Sequence, residues 1–209
     1  MPQSSAADRF ARYQELRCVL DDPFVELDLG HAMLSDAELE AREAGLQRAL
    51  VAMQQLEAGG LANPDEGRMV GHFWLRAPGL APRPEIEQAI VDALAAVERF
   101  AGHVHGGAIA PPEGGVFTKV VLCGIGGSAL GPMLLASVFA SVELPMTLTV
   151  LDNTDPDGID QQLQGLGTLK DALIVVISKS GGTPETRNAM IEVERACRDQ
   201  GLAFAPRAV

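Results

Sequence analysis

Two short stretches concentrate the residue types that bind anions: Gly124-Ile-Gly-Gly-Ser-Ala-Leu-Gly-Pro132 and Ser178-Lys-Ser-Gly-Gly-Thr-Pro-Glu-Thr186. Each follows an apolar, β-branched run and opens a helical pattern. Strand, small-residue turn and helix start together aim backbone N–H groups and the positive end of a helix dipole at one spot. In the second stretch Ser178, Ser180 and Thr183 add hydroxyl donors, and Lys179 adds a compact positive charge. Gly181 and Gly182 let the main chain approach a ligand without a Cβ in the way. A tetrahedral phosphate dianion needs several converging donors. Helix capping needs one hydroxyl, which Thr183 supplies ahead of Pro184. The pattern points to a phosphorylated small molecule, with a capped turn as the plainer alternative.

The first stretch is less specific. Gly124-Ile-Gly-Gly-Ser-Ala129 fits the dinucleotide fingerprint G-x-G-x-x-[GA], and Asp152 ends the next strand pattern where a ribose-binding acid could stand. A nicotinamide cofactor is therefore a competing reading, although it requires no second, hydroxyl-rich cradle. Asn153-Thr-Asp-Pro-Asp-Gly158 superficially resembles a calcium loop. Its proline, and Gln164 where a bidentate glutamate should be, make it a capped turn instead. His103 and His105 lie two apart in a Gly-rich stretch with no third ligand, and read as solvated loop residues. Cys18, Cys123 and Cys197 form no CxxC and read as small apolar residues in a reducing cytosol.

These loops need a scaffold. Lys119-Val-Val-Leu-Cys123, Met146-Thr-Leu-Thr-Val-Leu151 and Leu173-Ile-Val-Val-Ile177 are short apolar strand patterns. They alternate with helices around Leu130 to Phe139, after Gly158, and from Pro184 to about Asp199. Continuous apolar strands alternating with helices predict a parallel sheet covered on both faces, with ligands beyond the carboxyl ends of the strands. Leu202 to Val209 approaches a fourth strand and stops, which suggests a piece of a longer chain.

The first hundred residues read as helical, with no strand pattern. Ser35-Asp-Ala-Glu38 is a capping box opening a helix to about Leu56, closed by Gly59-Gly60. Asn63-Pro-Asp-Glu66 reads as a second helix start. Pro78, Pro82 and Pro84 mark a turn region, and Ile86, Ile90, Leu94 and Val97 mark one face of a third helix, Glu85 to Phe100. Residues 101–116 read as an irregular linker. The expected organisation is a helical segment over 1–100, this linker over 101–116, and an α/β domain over 117–209.

The chain of 209 residues is long enough for a full core, and 47% hydrophobic with 21% charged residues is an ordinary globular balance. A formal net charge of −12 argues against nucleic acid or an anionic membrane as partner. Any anionic ligand must then be held by local donors against the general field. The N-terminus has no apolar signal core and no stretch reaches a membrane-spanning length, so the expected setting is cytoplasmic.

Together and in this order, the two loops resemble the glucose-6-phosphate isomerase family. Val121-Leu-Cys-Gly-Ile-Gly-Gly-Ser-Ala-Leu-Gly-Pro132 resembles its first signature, and Ile177-Ser-Lys-Ser-Gly-Gly-Thr-Pro-Glu-Thr-Arg-Asn188 its sugar-phosphate loop. Asn63 to Arg76 and Leu151 to Pro156 also match, so the similarity covers most of residues 60–200. The resemblance implies a sugar isomerase (SIS) domain, a three-layer α/β/α sandwich. It also implies cofactor-free interconversion of glucose 6-phosphate and fructose 6-phosphate through an enediol, in glycolysis and gluconeogenesis, by a homodimer in the full-length form. Carried over by position, Gly127 and Ser128 would lie at the sugar end, and Ser178, Lys179, Ser180 and Thr183 would hold the phosphate. Glu185 takes a structural role at a helix start. The family's catalytic glutamate, histidine and lysine, and an arginine that steadies the enediolate, are expected beyond residue 209. This stretch is therefore expected to bind the phosphate end and not to turn over alone. A non-catalytic phosphosugar-sensing domain is the alternative.

Overall fold

The apolar runs after residue 117 form a parallel sheet in which the central strand and one neighbour bury consecutive residues, hence both faces, while the third buries only Leu151. In the computed structural model, which describes residues 5–32 and 34–209, these are β5 (Lys119–Cys123), β6 (Thr147–Leu151) and β7 (Ala172–Val176). β5 lies in the centre, in the order β6-β5-β7, and pairs in parallel with both neighbours over its full length. Helices α5 (Leu130–Val138), α6 (Pro156–Leu166) and α7 (Pro184–Asp199) connect and follow the strands. α/β is thus the observed fold class. Beside β7, Val209 donates to the Ile174 carbonyl and accepts from the Val176 N–H, so the anticipated fourth strand begins as a single bridge at Ala208.

The core of this unit, Ala93–Val209, sits between the sheet and the helices α6 and α7. Val121, Cys123, Leu151, Leu169, Ile174, Val193 and Cys197 are almost completely buried. Val104 and Phe117 pack with Leu173 as a smaller cluster. Arg207 is also fully buried. Its Nε donates to Ala203 O, one terminal nitrogen to Leu169 O and Lys170 O, and the other to both carboxylate oxygens of Glu113 at 2.7 Å. All five donors of the guanidinium fork are used, the condition under which burying a charge is tolerated.

The first unit ends at Asp92. It contains α1 (Ala6–Leu16), the hairpin β1 (Arg17–Asp21) and β2 (Phe24–Asp28), α2 (Asp36–Glu57), the small hairpin β3 (Leu61–Asn63) and β4 (Arg68–Met69), α3 (His72–Arg76) and the start of α4 (Pro84–His105). The Ser35 capping box forms as read, with Ser35 accepting from Glu38 N–H and Glu38 accepting from Ser35 N–H.

Three expectations fail here. The first hundred residues do contain strands. β1 and β2 are exposed along their whole length, so burial imposes no alternating pattern on their sequence. The hairpin is fixed by backbone pairing and by Arg17, whose Nε donates to Glu26 at 2.6 Å. Asn63 starts a turn and not a helix. Its Oδ1 accepts from Glu66 N–H, and Gly67 at φ 62° turns the chain into β4 after one loop. Finally, residues 101–105 are not a linker but the last turn of α4. Gly102 is accommodated because its carbonyl accepts from Gly106 N–H, while burial of Val104 offsets the roughly 1 kcal/mol a helical glycine costs. His103 and His105 are accordingly exposed residues of a helix end. The chain leaves the helix at Gly107, φ 75°.

Candidate functional site

Both glycine loops leave the same end of the sheet. The first follows β5 and the second follows its neighbour β7, and their roots are joined, because Ile177 N–H donates to Cys123 O at 2.9 Å. Gly124 N–H reaches across to Leu151 O on β6 at 3.3 Å. Gly124 is closely surrounded, since a Cβ would lie 3.1 Å from the Ser128 Cβ and 3.4 Å from the Ile177 carbonyl. The carboxyl ends of all three strands therefore meet beneath the two loops, the position where open parallel sheets bind ligands.

In the first loop, Gly126–Ser128 forms one 3₁₀ turn before α5 begins. Gly127 is exposed at its crest and Ser128 is half-buried, its N–H held by Ile125 O. The turn separates the strand from the helix, which begins at Leu130 as the sequence pattern suggested.

In the second loop two of the three hydroxyls meet. Ser178 Oγ and Thr183 Oγ1 lie 3.1 Å apart, each half-buried. Ser178 Oγ also accepts from Gly181 N–H at 3.0 Å, and Ser180 Oγ accepts from Gly182 N–H at 3.2 Å. Gly181 stands at φ 71°, a conformation that bends the loop back over Ser178. Thr183 holds the N-cap position of α7, but its hydroxyl makes no capping bond and faces Ser178 instead. The capped-turn reading is thereby weakened, since the one side chain that would cap is turned into the loop. Lys179, Ser180, Gly181 and Gly182 are exposed, so the loop is open to solvent.

This bonding has a chemical consequence. A hydroxyl that accepts from a backbone N–H keeps its own proton to donate, and accepting polarises it as a donor. Ser178 and Ser180 are in that state, and within the Ser178–Thr183 pair only one proton is used between the two. Hydroxyl protons, the Lys179 ammonium and the first turn of the 16-residue α7 are thus available to an anion entering the loop.

The nearby thiols and the acidic turn have structural surroundings. Burial pushes the Cys123 thiol up to about 12 and raises Cys197, so both remain protonated, while Cys18 lies exposed on β1. The acidic turn before α6 is the capped turn expected from sequence. Asp155 accepts from Gly158 N–H, and Asn153 accepts from Asp155 N–H, both at 3.0 Å. The feature that sequence reading missed is the Glu113–Arg207 pair. The partners are far apart in the chain, and Glu113 sits in a Gly/Pro-rich stretch with no periodicity to mark it.

A family model described as phosphoglucose isomerase matches residues 32–201. A curated relative from Thermosynechococcus vestitus named glucose-6-phosphate isomerase is 51% identical over 184 residues, covering 88% of this chain and 35% of its own length. One of the same name from Synechococcus elongatus is 49% identical over 191 residues, covering 90% of this chain and 36% of its length. The chain thus spans little more than a third of the relatives it matches. Among solved structures, a glucose-6-phosphate isomerase from Chlamydia trachomatis superposes with a TM-score of 0.73 at 22% identity, over 95% of this chain and 38% of that one, which establishes likeness of fold.

Proposed function

The chain belongs to the phosphoglucose isomerase family, and we propose that it supplies the phosphate-holding part of an enzyme interconverting glucose 6-phosphate and fructose 6-phosphate. The second unit acts as a sugar isomerase domain. Ser178, Lys179, Ser180 and Thr183 grip the phosphate, while Gly127 and Ser128 face the sugar. The observation that carries this reading is the convergence of Ser178 Oγ and Thr183 Oγ1 in a solvent-open loop at a helix N-terminus.

Moving a proton between adjacent sugar carbons needs a positioned base. The groups that do so belong to the part of the family's proteins that these residues do not span. Holding the phosphate fixes where the reacting carbons lie relative to those groups, so binding at the remote end contributes to rate at the reacting end. The full-length form is proposed to be a homodimer working in the cytoplasm without a cofactor.

Fructose 6-phosphate tests the assignment. At about a hundredfold excess over its dissociation constant it should stabilise the chain by roughly 2.7 kcal/mol, read as a rise in melting temperature. Ser178→Ala combined with Thr183→Ala should abolish the rise, and an undiminished rise in that variant would remove the phosphate assignment. Nicotinamide fluorescence that changes on adding the chain would favour the dinucleotide reading instead.

A further inference from the structure

The junction between the second loop and α7 leaves polar groups unmatched. Thr186, the third residue of α7, is only 3% exposed, and its hydroxyl has no hydrogen-bond partner among the described residues. Its N–H is a donor that a capping Thr183 would bind, and Thr183 makes no capping bond. A buried hydroxyl without a partner is costly, and its presence in a native structure calls for a reason. Near a helix start a threonine hydroxyl can donate to the carbonyl three or four residues earlier. For Thr186 these belong to Thr183, whose carbonyl already accepts from Arg187 N–H, and to Gly182. The Gly182 carbonyl accepts from no backbone N–H among the described residues. Thr186 also shares the buried side of α7 with Ala189, Val193 and Cys197, which pack in the core with Val121 and Cys123 of β5.

We propose that Thr186 is a positioning residue for the loop, its hydroxyl donating to the Gly182 carbonyl when the loop closes on a phosphate dianion. The proposal rests on the phosphate reading of Ser178, Lys179, Ser180 and Thr183. Gly181, at φ 71°, and Gly182 beside it give the loop end the freedom to turn its last carbonyl toward the helix. In the open loop Ser178 and Thr183 bond to each other, and Ser180 occupies the Gly182 N–H. A dianion accepting from these hydroxyls competes with the internal bonds and releases Gly182 to pair with Thr186. The orphaned hydroxyl raises the free energy of the open loop and so narrows its gap to the closed one. A ligand that binds the closed loop then has less to supply. One group thereby lowers resting stability and raises affinity.

Calorimetric titration with fructose 6-phosphate, and with inorganic phosphate as a second probe, compares the natural chain with Thr186→Val and Thr186→Ser. Thr186→Val keeps the side-chain shape and removes the hydroxyl. It should weaken both ligands by about fivefold or more, while raising the melting temperature of the ligand-free chain by about 2–4 °C. Thr186→Ser retains the hydroxyl and should bind within about twofold of the natural chain. In the natural chain, exchange of the Thr186 amide should slow by about tenfold on adding fructose 6-phosphate, because closure brings the Gly182 carbonyl to that N–H as well. Unchanged affinity in Thr186→Val, with the natural chain binding, would overturn the proposal and leave the phosphate reading standing. A natural chain that binds neither ligand would overturn both. A lower melting temperature in Thr186→Val would show the hydroxyl already bonded at rest and would also overturn it. Should Thr186→Val fail to fold, the amide exchange of the natural chain decides, and no slowing refutes the latch.

Discussion

Helices α5 and α7 arise in the same way, each from a parallel strand through a glycine turn, yet they end in opposite states. α7 buries Thr186, Ala189, Val193 and Cys197 against the sheet and turns Glu192, Arg195 and Arg198 to water, with Arg195 bonded to Asp160 and Glu192. α5 buries none of its residues and carries no charge. The difference lies in sequence and not in topology. An amphipathic helix completes its own unit, whereas one that is apolar all round specifies a surface it does not itself contain. The α7 side is therefore a finished structure, and it is there that the loop hydroxyls are held in register.

The comparison can be broken most directly at Arg207, whose fork closes the finished side. Arg207→Met strands the Glu113 carboxylate and frees three backbone carbonyls. It should cost about 1–3 kcal/mol in urea unfolding, chiefly through the buried Leu169 carbonyl left without its donor, and a loss under about 0.5 kcal/mol would mean the buried fork contributes little to that side.

A paired truncation sharpens the contrast. Val193→Ala on α7 should cost roughly 2 kcal/mol, at about 0.8 kcal/mol per buried carbon plus a cavity term. Leu134→Ala on α5, removing a larger side chain, should change stability by less than about 0.5 kcal/mol in the chain alone. Equal losses would dissolve the distinction between the two helices.

The smallest effect is a dependence on pH. Hydrogen bonding to the Arg207 guanidinium holds Glu113 below the usual carboxylate range, with desolvation opposing it. Its folded pKa lies under its unfolded one, so the stabilisation is complete above about pH 4.5 and is lost as pH falls further. Melting temperatures of the natural chain and Glu113→Gln should differ most at neutral pH and converge in acid. A constant gap would assign the pair no role in acid sensitivity.

What was legible in the sequence follows from what burial imprints on it. β5, the span of α7 and the Ser35 cap are read within a residue, because continuous apolar runs and capping residues leave local signatures. The exposed hairpin β1–β2 left none, since backbone pairing and the Arg17–Glu26 bond demand no alternation. At Asn63 one signature serves both a helix start and a turn, and Gly67 decides between them. In the second loop the residue types marked a hydroxyl-rich, glycine-hinged turn at a helix start. That Thr183 faces Ser178 instead of capping its helix is a side-chain orientation that residue types alone do not encode. Arg207 and Glu113 are joined only in space.

The placement of the thiols gives the molecule a built-in reporter. With Cys123 and Cys197 sealed beneath the sheet and α7, a maleimide dye has one site of attachment, Cys18 on the surface hairpin. Any second or third adduct, counted by mass, then becomes a clock for how often the three-stranded core breathes open.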